Sequence, residues 1–164
     1  MTHPFRFLPL LCILLFGPFA KAKVQVFILA GQSNMEGAGA VNINPNSKNG
    51  GKGTLEYLVK NTETEKEFGH LADKDGNWIA RKDVFIRYGD RIGALKAGFG
   101  FRSTTIGPEL GFGQVIGDAV KEPVLLIKTA WGGKSIFFDF RPPSSGMPPQ
   151  ETLEKMLVGA RRKD

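Results

Sequence analysis

A serine, Ser33, stands where an apolar run ends, in the stretch GQSNMEG that covers residues 31–37. The run before it, Val24 to Ala30, is β-branched and apolar almost throughout, which predicts a buried strand that stops at Gly31. A strand that ends in this way presents the side chains that follow it. A neutral serine is a poor nucleophile unless a base accepts its proton, so the other elements must be searched for its partners.

A second predicted strand also runs into a glycine turn. Val124 to Thr129 predicts a buried strand, and the sequence AWGGKS follows it at residues 130–135. Between the two strands, the stretch from Ile106 to about Val120 predicts a helix that begins near Pro108, since a proline is well placed in a first helical turn. Ligands bind at the carboxyl ends of strands in α/β sheets, so both turns are expected at the site.

The remaining elements complete an α/β pattern. Leu55 to Lys60 predicts a short helix or strand, and Asp83 to Tyr88 alternates as an exposed or edge strand does. A final amphipathic helix has apolar positions at Leu153, Met156, Leu157 and Ala160. The alternation of strand, loop and helix predicts an α/β fold with a sheet that is at least partly parallel.

Several familiar motifs are incomplete in this sequence. GQSNM is not G-x-S-x-G, because Met35 stands where the second glycine belongs. GGKS is not a phosphate loop, because Lys128 occupies the position of the first glycine. Residues 37–39 lack the third glycine of a dinucleotide motif, and residues 73–76 have their glycine too early for a calcium loop and predict a plain turn. These failures disfavour a nucleotide-binding domain.

The first 22 residues have the layout of a signal peptide. Arg6 precedes an apolar stretch from Phe7 to Phe19, and Ala-Lys-Ala at residues 20–22 fits a cleavage site. The stretch is too short to span a bilayer, so no stable membrane anchor is expected after cleavage; a buried N-terminal helix is the alternative. The prediction is a secreted or periplasmic protein with one domain over residues 23–164.

Composition fits an ordinary globular domain and disfavours nucleic acid as a partner. The formal net charge is +6, but the basic residues are scattered apart from residues 161–163. The single cysteine, Cys12, lies in the predicted signal peptide. The mature chain is therefore expected to have no disulfide, no thiol nucleophile and no cysteine metal site.

Three blocks in this order, GQSNMEG, IGPELGFG and KTAWGGKS, resemble the sialate O-acetylesterases and carbohydrate esterase family 6, a group of SGNH-type hydrolases. The resemblance covers nearly everything after residue 22. It implies a three-layer α/β/α sandwich with a parallel sheet. It also implies removal of acetyl groups from sugar hydroxyls through an acyl-enzyme, with an acetylated carbohydrate as substrate and no cofactor or metal.

The same resemblance implies roles for residues of the two turns. Ser33 is the expected nucleophile, and its backbone N–H is expected to form an oxyanion hole with that of Gly133 or Gly132. Gln32 and Asn34 are expected to shape the first turn and its hydrogen bonds.

Four further residues are assigned to the surroundings of the site. Glu109, at the start of the predicted helix, is expected to brace the site or, as the preferred interpretation, to act as a helix N-terminal carboxylate. Trp131, with Phe137 and Phe138, is a candidate for stacking on a sugar, although core packing is the commoner fate of such aromatic residues.

The family pattern continues with an Asp-x-x-His that supplies the base, and this sequence lacks that motif. Its two histidines are His3, in the predicted signal peptide, and His70, which is expected to be a surface residue. Because the strand from Val124 to Thr129 is apolar almost throughout, we also expect it to have neighbouring strands on both sides. We therefore expect a truncated member with an incomplete sheet and weak activity at best; the alternative function is a non-catalytic carbohydrate-binding remnant.

Overall fold

The computed structural model describes residues 23–161, and the predicted signal peptide at 1–22 lies outside them. The strands are β1 (Gln25–Gly31), β2 (Gly39–Ala40), β3 (Val84–Tyr88), β4 (Arg91–Ala94), β5 (Thr105–Ile106) and β6 (Val124–Ala130). The helices are α1 (Ser33–Glu36), α2 (Leu55–Lys60), α3 (Glu65–Phe68), α4 (Pro108–Ala119) and α5 (Gln150–Arg161). Within residues 23–161, none of these helices has the length and apolar character needed to cross a bilayer.

The main sheet has the strand order β1-β6-β3-β4. Strand β6 runs parallel to both of its neighbours, and β4 runs antiparallel to β3 at one edge. β2 and β5 form a separate two-stranded antiparallel ribbon. The predicted α/β fold with a mostly parallel sheet is confirmed.

The predicted elements agree closely with the structure, with one correction. Strands β1 and β6 begin and end within one residue of their predicted bounds, and residues 55–60 are helical. The prediction of an edge strand at residues 83–88 is wrong, because β3 lies between β6 and β4. Its alternation arises instead from two unlike sheet faces: Val84 and Ile86 are fully buried, whereas 44% of Phe85 is exposed.

One face of the sheet carries the core and is covered by α4. Every second residue of β6, from Val124 to Ala130, is buried on this face. Helix α4 approaches closely because Gly113 and Gly117 lack side chains: a Cβ on Gly117 would lie 2.7 Å from Cγ2 of Val84. A Phe27–Phe112 edge-to-face contact, with ring centroids 5.4 Å apart, joins β1 to the same helix.

The opposite face, which we call the open face, carries exposed apolar side chains. They are Val26 (52% exposed), Ile28 (69%), Phe85 (44%) and Ile92 (67%). The expectation that β1 is a buried strand is therefore wrong for most of its length, since only Leu29 among its residues is buried. Within residues 23–161, no helix buries these side chains. The predicted final helix is confirmed as α5, and its Met156 and Leu157 are exposed as well.

Candidate active site

The two turns predicted to form the site lie side by side. The parallel register of β1 and β6 places Gly31 opposite Ala130, so both chains leave the sheet at the same edge. Ser33 begins the single turn of α1 directly after β1. A Cβ built on Gly132 would lie 3.8 Å from Cβ of Ser33. The structure thus places the serine beside the glycine turn, and Ser33 and Gly132 line the same cavity.

Ser33 is exposed and opens into a cavity of about 520 Å³. Phe101 and Trp131 form aromatic parts of its wall, and Lys134 contributes a positive charge. The Lys134 Nζ lies 2.9 Å from an oxygen of Asp139. The N–H of Ser135 and then the Lys134 ammonium hold the pKa of Asp139 below its usual value.

Gln32 and Asn34 flank the serine on the surface. Both side chains are exposed, which leaves them accessible to a ligand. Gln32 lines a second cavity of about 610 Å³, which Lys134 and Phe140 also line. Gln32 precedes α1 without a side-chain hydrogen bond to the helix, so the turn is shaped by its backbone.

The two glycines of the second turn differ in what their N–H groups do. The Gly132 N–H donates a hydrogen bond of 2.7 Å to Oε2 of Glu36. Gly133 has a φ of +70°, a left-handed conformation that glycine adopts without strain. Its N–H has no hydrogen-bond partner among residues 23–161. Of the two expected oxyanion donors, Gly133 is therefore the one whose N–H is not already engaged.

A buried carboxylate and a buried tyrosine lie beneath the turns, and sequence reasoning missed both. The Tyr88 hydroxyl donates toward Oε1 of Glu36 at 2.8 Å and toward the Ala130 carbonyl at 2.9 Å. Burial, and then the hydrogen bond to Glu36, raise the pKa of Tyr88 to about 12. The available signal was that Glu36 follows Ser33 by three residues, one helical turn later.

Glu109 lies behind the site rather than in it. Its side chain is fully buried, its Oε1 accepts the Gly107 N–H at 2.8 Å, and its Oε2 lies 2.6 Å from Nζ of Lys128. Lys128 also donates to the carbonyl oxygen of Glu36 at 2.7 Å. Glu109 therefore has the helix N-terminal role that the sequence favoured, and it braces the serine turn through Lys128.

The aromatic residues assigned to sugar stacking occupy different positions. Trp131 lines the Ser33 cavity, is 45% exposed, and lies 5.7 Å from Phe140 between ring centroids. Phe137 and Phe138 form an edge-to-face pair at 4.7 Å and are not among the residues that line the Ser33 cavity, whereas Phe137 lines the second cavity beside Gln32. Of the three, Trp131 is thus the one that lines the cavity of Ser33.

The histidine in the described chain is not brought to Ser33. His70 is exposed in a short 3₁₀ turn, Gly69–Leu71, which packs against α2 and α3. It is not among the residues that line the cavity. The Ser33 hydroxyl takes no part in the buried hydrogen bonds that join Glu36, Tyr88 and Lys128. The surface position predicted for His70 is confirmed.

The fold and the paired strand-end turns define an α/β protein with a mostly parallel sheet. The family described as carbohydrate esterase, sialic acid-specific acetylesterase, matches residues 23–162, and the chain belongs to this family of carbohydrate esterases. The resemblance found from the three sequence blocks is confirmed. Neither the curated proteins nor the solved structures that were compared contain a match.

Proposed function

We propose that this chain is a carbohydrate O-acetylesterase domain in which Ser33 is the nucleophile. Its hydroxyl attacks the acetyl carbonyl, the sugar oxygen leaves with a proton, and water then hydrolyses the acetyl-enzyme. The observation that carries the proposal is the proximity of Ser33 to the glycine turn, with which it shares a cavity, because a serine esterase needs its nucleophile beside backbone donors.

The oxyanion hole in this proposal is formed by the N–H groups of Ser33 and Gly133. The Gly132 N–H is used by Glu36 and acts by holding the turn. Backbone donors at a glycine turn can approach a substrate oxygen closely, since no Cβ intervenes. Losing one such donor typically raises the barrier by about 3–4 kcal/mol.

Proton transfer limits the activity that we propose for this chain. His70 lies on the 3₁₀ turn beside α2 and α3, and His3 lies outside the described residues. Without a base, the serine keeps only the rate enhancement that substrate binding and the oxyanion donors provide. In serine proteases this enhancement is about 10³–10⁴-fold over the reaction in water. We therefore expect slow turnover with activated esters.

The substrate side of the proposal rests on the cavity wall. Trp131 and Phe101 present exposed rings beside Ser33, with 45% and 54% of their surface accessible, and sugars stack on such rings. The proposed substrate is an acetylated carbohydrate met outside the cytoplasm, after removal of residues 1–22. The same rings favour the second candidate, a carbohydrate-binding remnant that lacks turnover because no histidine among residues 23–161 lines the Ser33 cavity.

Two reagents separate these functions. The purified chain is incubated with an aryl acetate and with a fluorophosphonate, alongside Ser33→Ala and, as a matched control, Ser135→Ala in the second turn. Labelling and turnover that disappear only in Ser33→Ala support the esterase. Absence of both in the wild type, with retained sugar binding, contradicts the esterase and supports the remnant.

A further inference from the structure

Glu36 is a buried acid whose partners in the described chain are neutral. The exposed fraction of the residue is 9%. Its two oxygens accept from the Tyr88 hydroxyl at 2.8 Å and the Gly132 N–H at 2.7 Å. Burying a carboxylate without an ion pair is costly, so these two hydrogen bonds offset much of its desolvation.

The hydrogen bonds of Glu36 join the ends of three strands. Glu36 itself follows β1, Gly132 follows β6, and Tyr88 is the last residue of β3. We propose that Glu36 is a positioning residue whose carboxylate holds the Gly132 peptide and so fixes the neighbouring Gly133 N–H beside Ser33. The effect of this role on catalysis rests on the proposed esterase function. The hydrogen bond from the Gly132 N–H to the Glu36 carboxylate, which we call the clamp, does not.

The far end of the glycine turn is held by the Ser135 N–H, which donates to Asp139 at 2.8 Å, so the proposed clamp concerns Gly132 and Gly133. A Cβ placed on Gly133 would meet no heavy atom within 4 Å, so packing does not fix its conformation. The peptide before it is tied to the fold by the hydrogen bond from Gly132 to Glu36. Oxyanion donors must be held within about 0.5 Å of their productive position, which an unclamped glycine turn does not achieve.

The backbone of Glu36 is secured independently of its side chain. Lys128 donates to the Glu36 carbonyl oxygen at 2.7 Å, and the Glu36 N–H donates to the Gln32 carbonyl at 2.8 Å. A change confined to the carboxylate therefore leaves the course of the serine turn in place. Variants that shorten the Glu36 side chain can therefore be compared without disrupting helix α1.

The experiment compares three variants. Glu36→Asp keeps the charge but is one methylene shorter, so it cannot bridge Tyr88 and Gly132. Glu36→Gln keeps the length and an oxygen that accepts the Gly132 N–H. Tyr88→Phe removes the other partner of Glu36 and leaves the bond to Gly132 intact. Amide hydrogen exchange of Gly132, measured by NMR, and the rate of fluorophosphonate labelling are recorded for each folded protein.

Glu36→Asp is expected to speed Gly132 exchange and to slow labelling, each by about tenfold or more, as the loss of a hydrogen bond to a charged group implies. Glu36→Gln is expected to stay within about threefold of the wild type in both, since an amide oxygen still accepts a hydrogen bond. If Gly132 exchange and labelling are normal in Glu36→Asp but impaired in Glu36→Gln, then the charge of the side chain matters and its length does not. That result would overturn the proposal.

The two proposals fail in distinguishable ways. If the wild type is not labelled at all, the esterase proposal fails, and the exchange of the Gly132 amide still tests the clamp. If the wild type is labelled, and Tyr88→Phe slows labelling as much as Glu36→Asp does, the effect is a general loss of the buried network. That result would overturn the specific role of Glu36 toward Gly132.

Discussion

The ammonium nitrogen of Lys128 lies 2.6 Å from Oε2 of Glu109, and neither side chain has any exposed surface. The same ammonium donates to the carbonyl oxygens of Glu36 and Phe99. All three of its hydrogens therefore have acceptors, which is the condition under which a buried lysine is tolerated. The pair joins β6 to the start of α4 and to the turn that carries Ser33.

Lys128→Met is expected to destabilise the protein by about 3–5 kcal/mol, because Glu109 is left as a buried charge without its partner. The measurement is denaturant unfolding. The control is Lys60→Met, which breaks a surface pair with Glu56 and should change stability by no more than about 1 kcal/mol. The double variant Lys128→Met with Glu109→Leu should recover much of the loss. Equal effects of the buried and surface substitutions would contradict this account.

Gly37→Ala is expected to prevent folding or to lower the free energy of unfolding by about 3 kcal/mol or more, because losses of this size arise from severe steric clashes and backbone strain. Gly37 has a φ of +83°, and an added Cβ would overlap the backbone of Gly107 at the start of α4. Gly50→Ala is the matched control, since Gly50 has a φ of +63° and open space around it. Thermal unfolding should show a loss of only about 1–2 kcal/mol for the control.

Gly132→Ala is expected to slow fluorophosphonate labelling by about a hundredfold, the scale of a 1 Å displacement in a catalytic site. An added Cβ would lie 2.7 Å from Oε2 of Glu36, so the carboxylate and the turn must separate. Gly111→Ala serves as control, because Gly111 is exposed in α4, has no positive φ, and a Cβ there would meet no heavy atom within 4 Å. Unchanged labelling of folded Gly132→Ala would show that the turn tolerates this separation.

Alkaline titration should reveal that Tyr88 ionises at a higher pH than an ordinary tyrosine. The folded pKa of Tyr88 is raised from 10.0 to about 12, so the native protein binds its proton more tightly than the unfolded chain. The stabilising contribution is complete below pH 10.0 and is lost as the pH rises toward about 12. Tyrosinate absorbance in a Tyr57→Phe background isolates the titration of Tyr88.

The matching stability measurement compares urea unfolding of the wild type and Tyr88→Phe across the same alkaline range. The wild type should lose more stability with rising pH than the variant does. Parallel curves for the two proteins would mean that Tyr88 does not contribute to the loss.

Much of the sheet could be predicted because strands β1 and β6 are apolar almost throughout. Residues 124–129 left no helical alternative of suitable length, and the glycine at each strand end marked where the chain leaves the sheet. From two parallel strands it followed that Ser33 and the glycine turn meet at one edge. The structure has this arrangement, with Gly31 opposite Ala130.

What could not be predicted depends on pairing between distant residues. Strand β4 has four residues, Arg91 to Ala94, and no alternation that would separate it from a loop. The partners of Glu36 and Lys128 are up to 96 residues away in the chain, and no local pattern identifies them. A lysine inside an apolar strand was nonetheless a usable signal, because such a charge is buried only with a partner.

The open face and the outer edge of β1 have a practical consequence for anyone who purifies this chain. Along that edge, residues 23–161 supply no further strand, and the exposed valines and isoleucines lie beside unpaired backbone donors. Surfaces of this kind attract one another, and the attraction grows with concentration. Samples for spectroscopy will therefore keep best when dilute or with a mild detergent, and a rate that falls as protein is added will report clustering rather than chemistry.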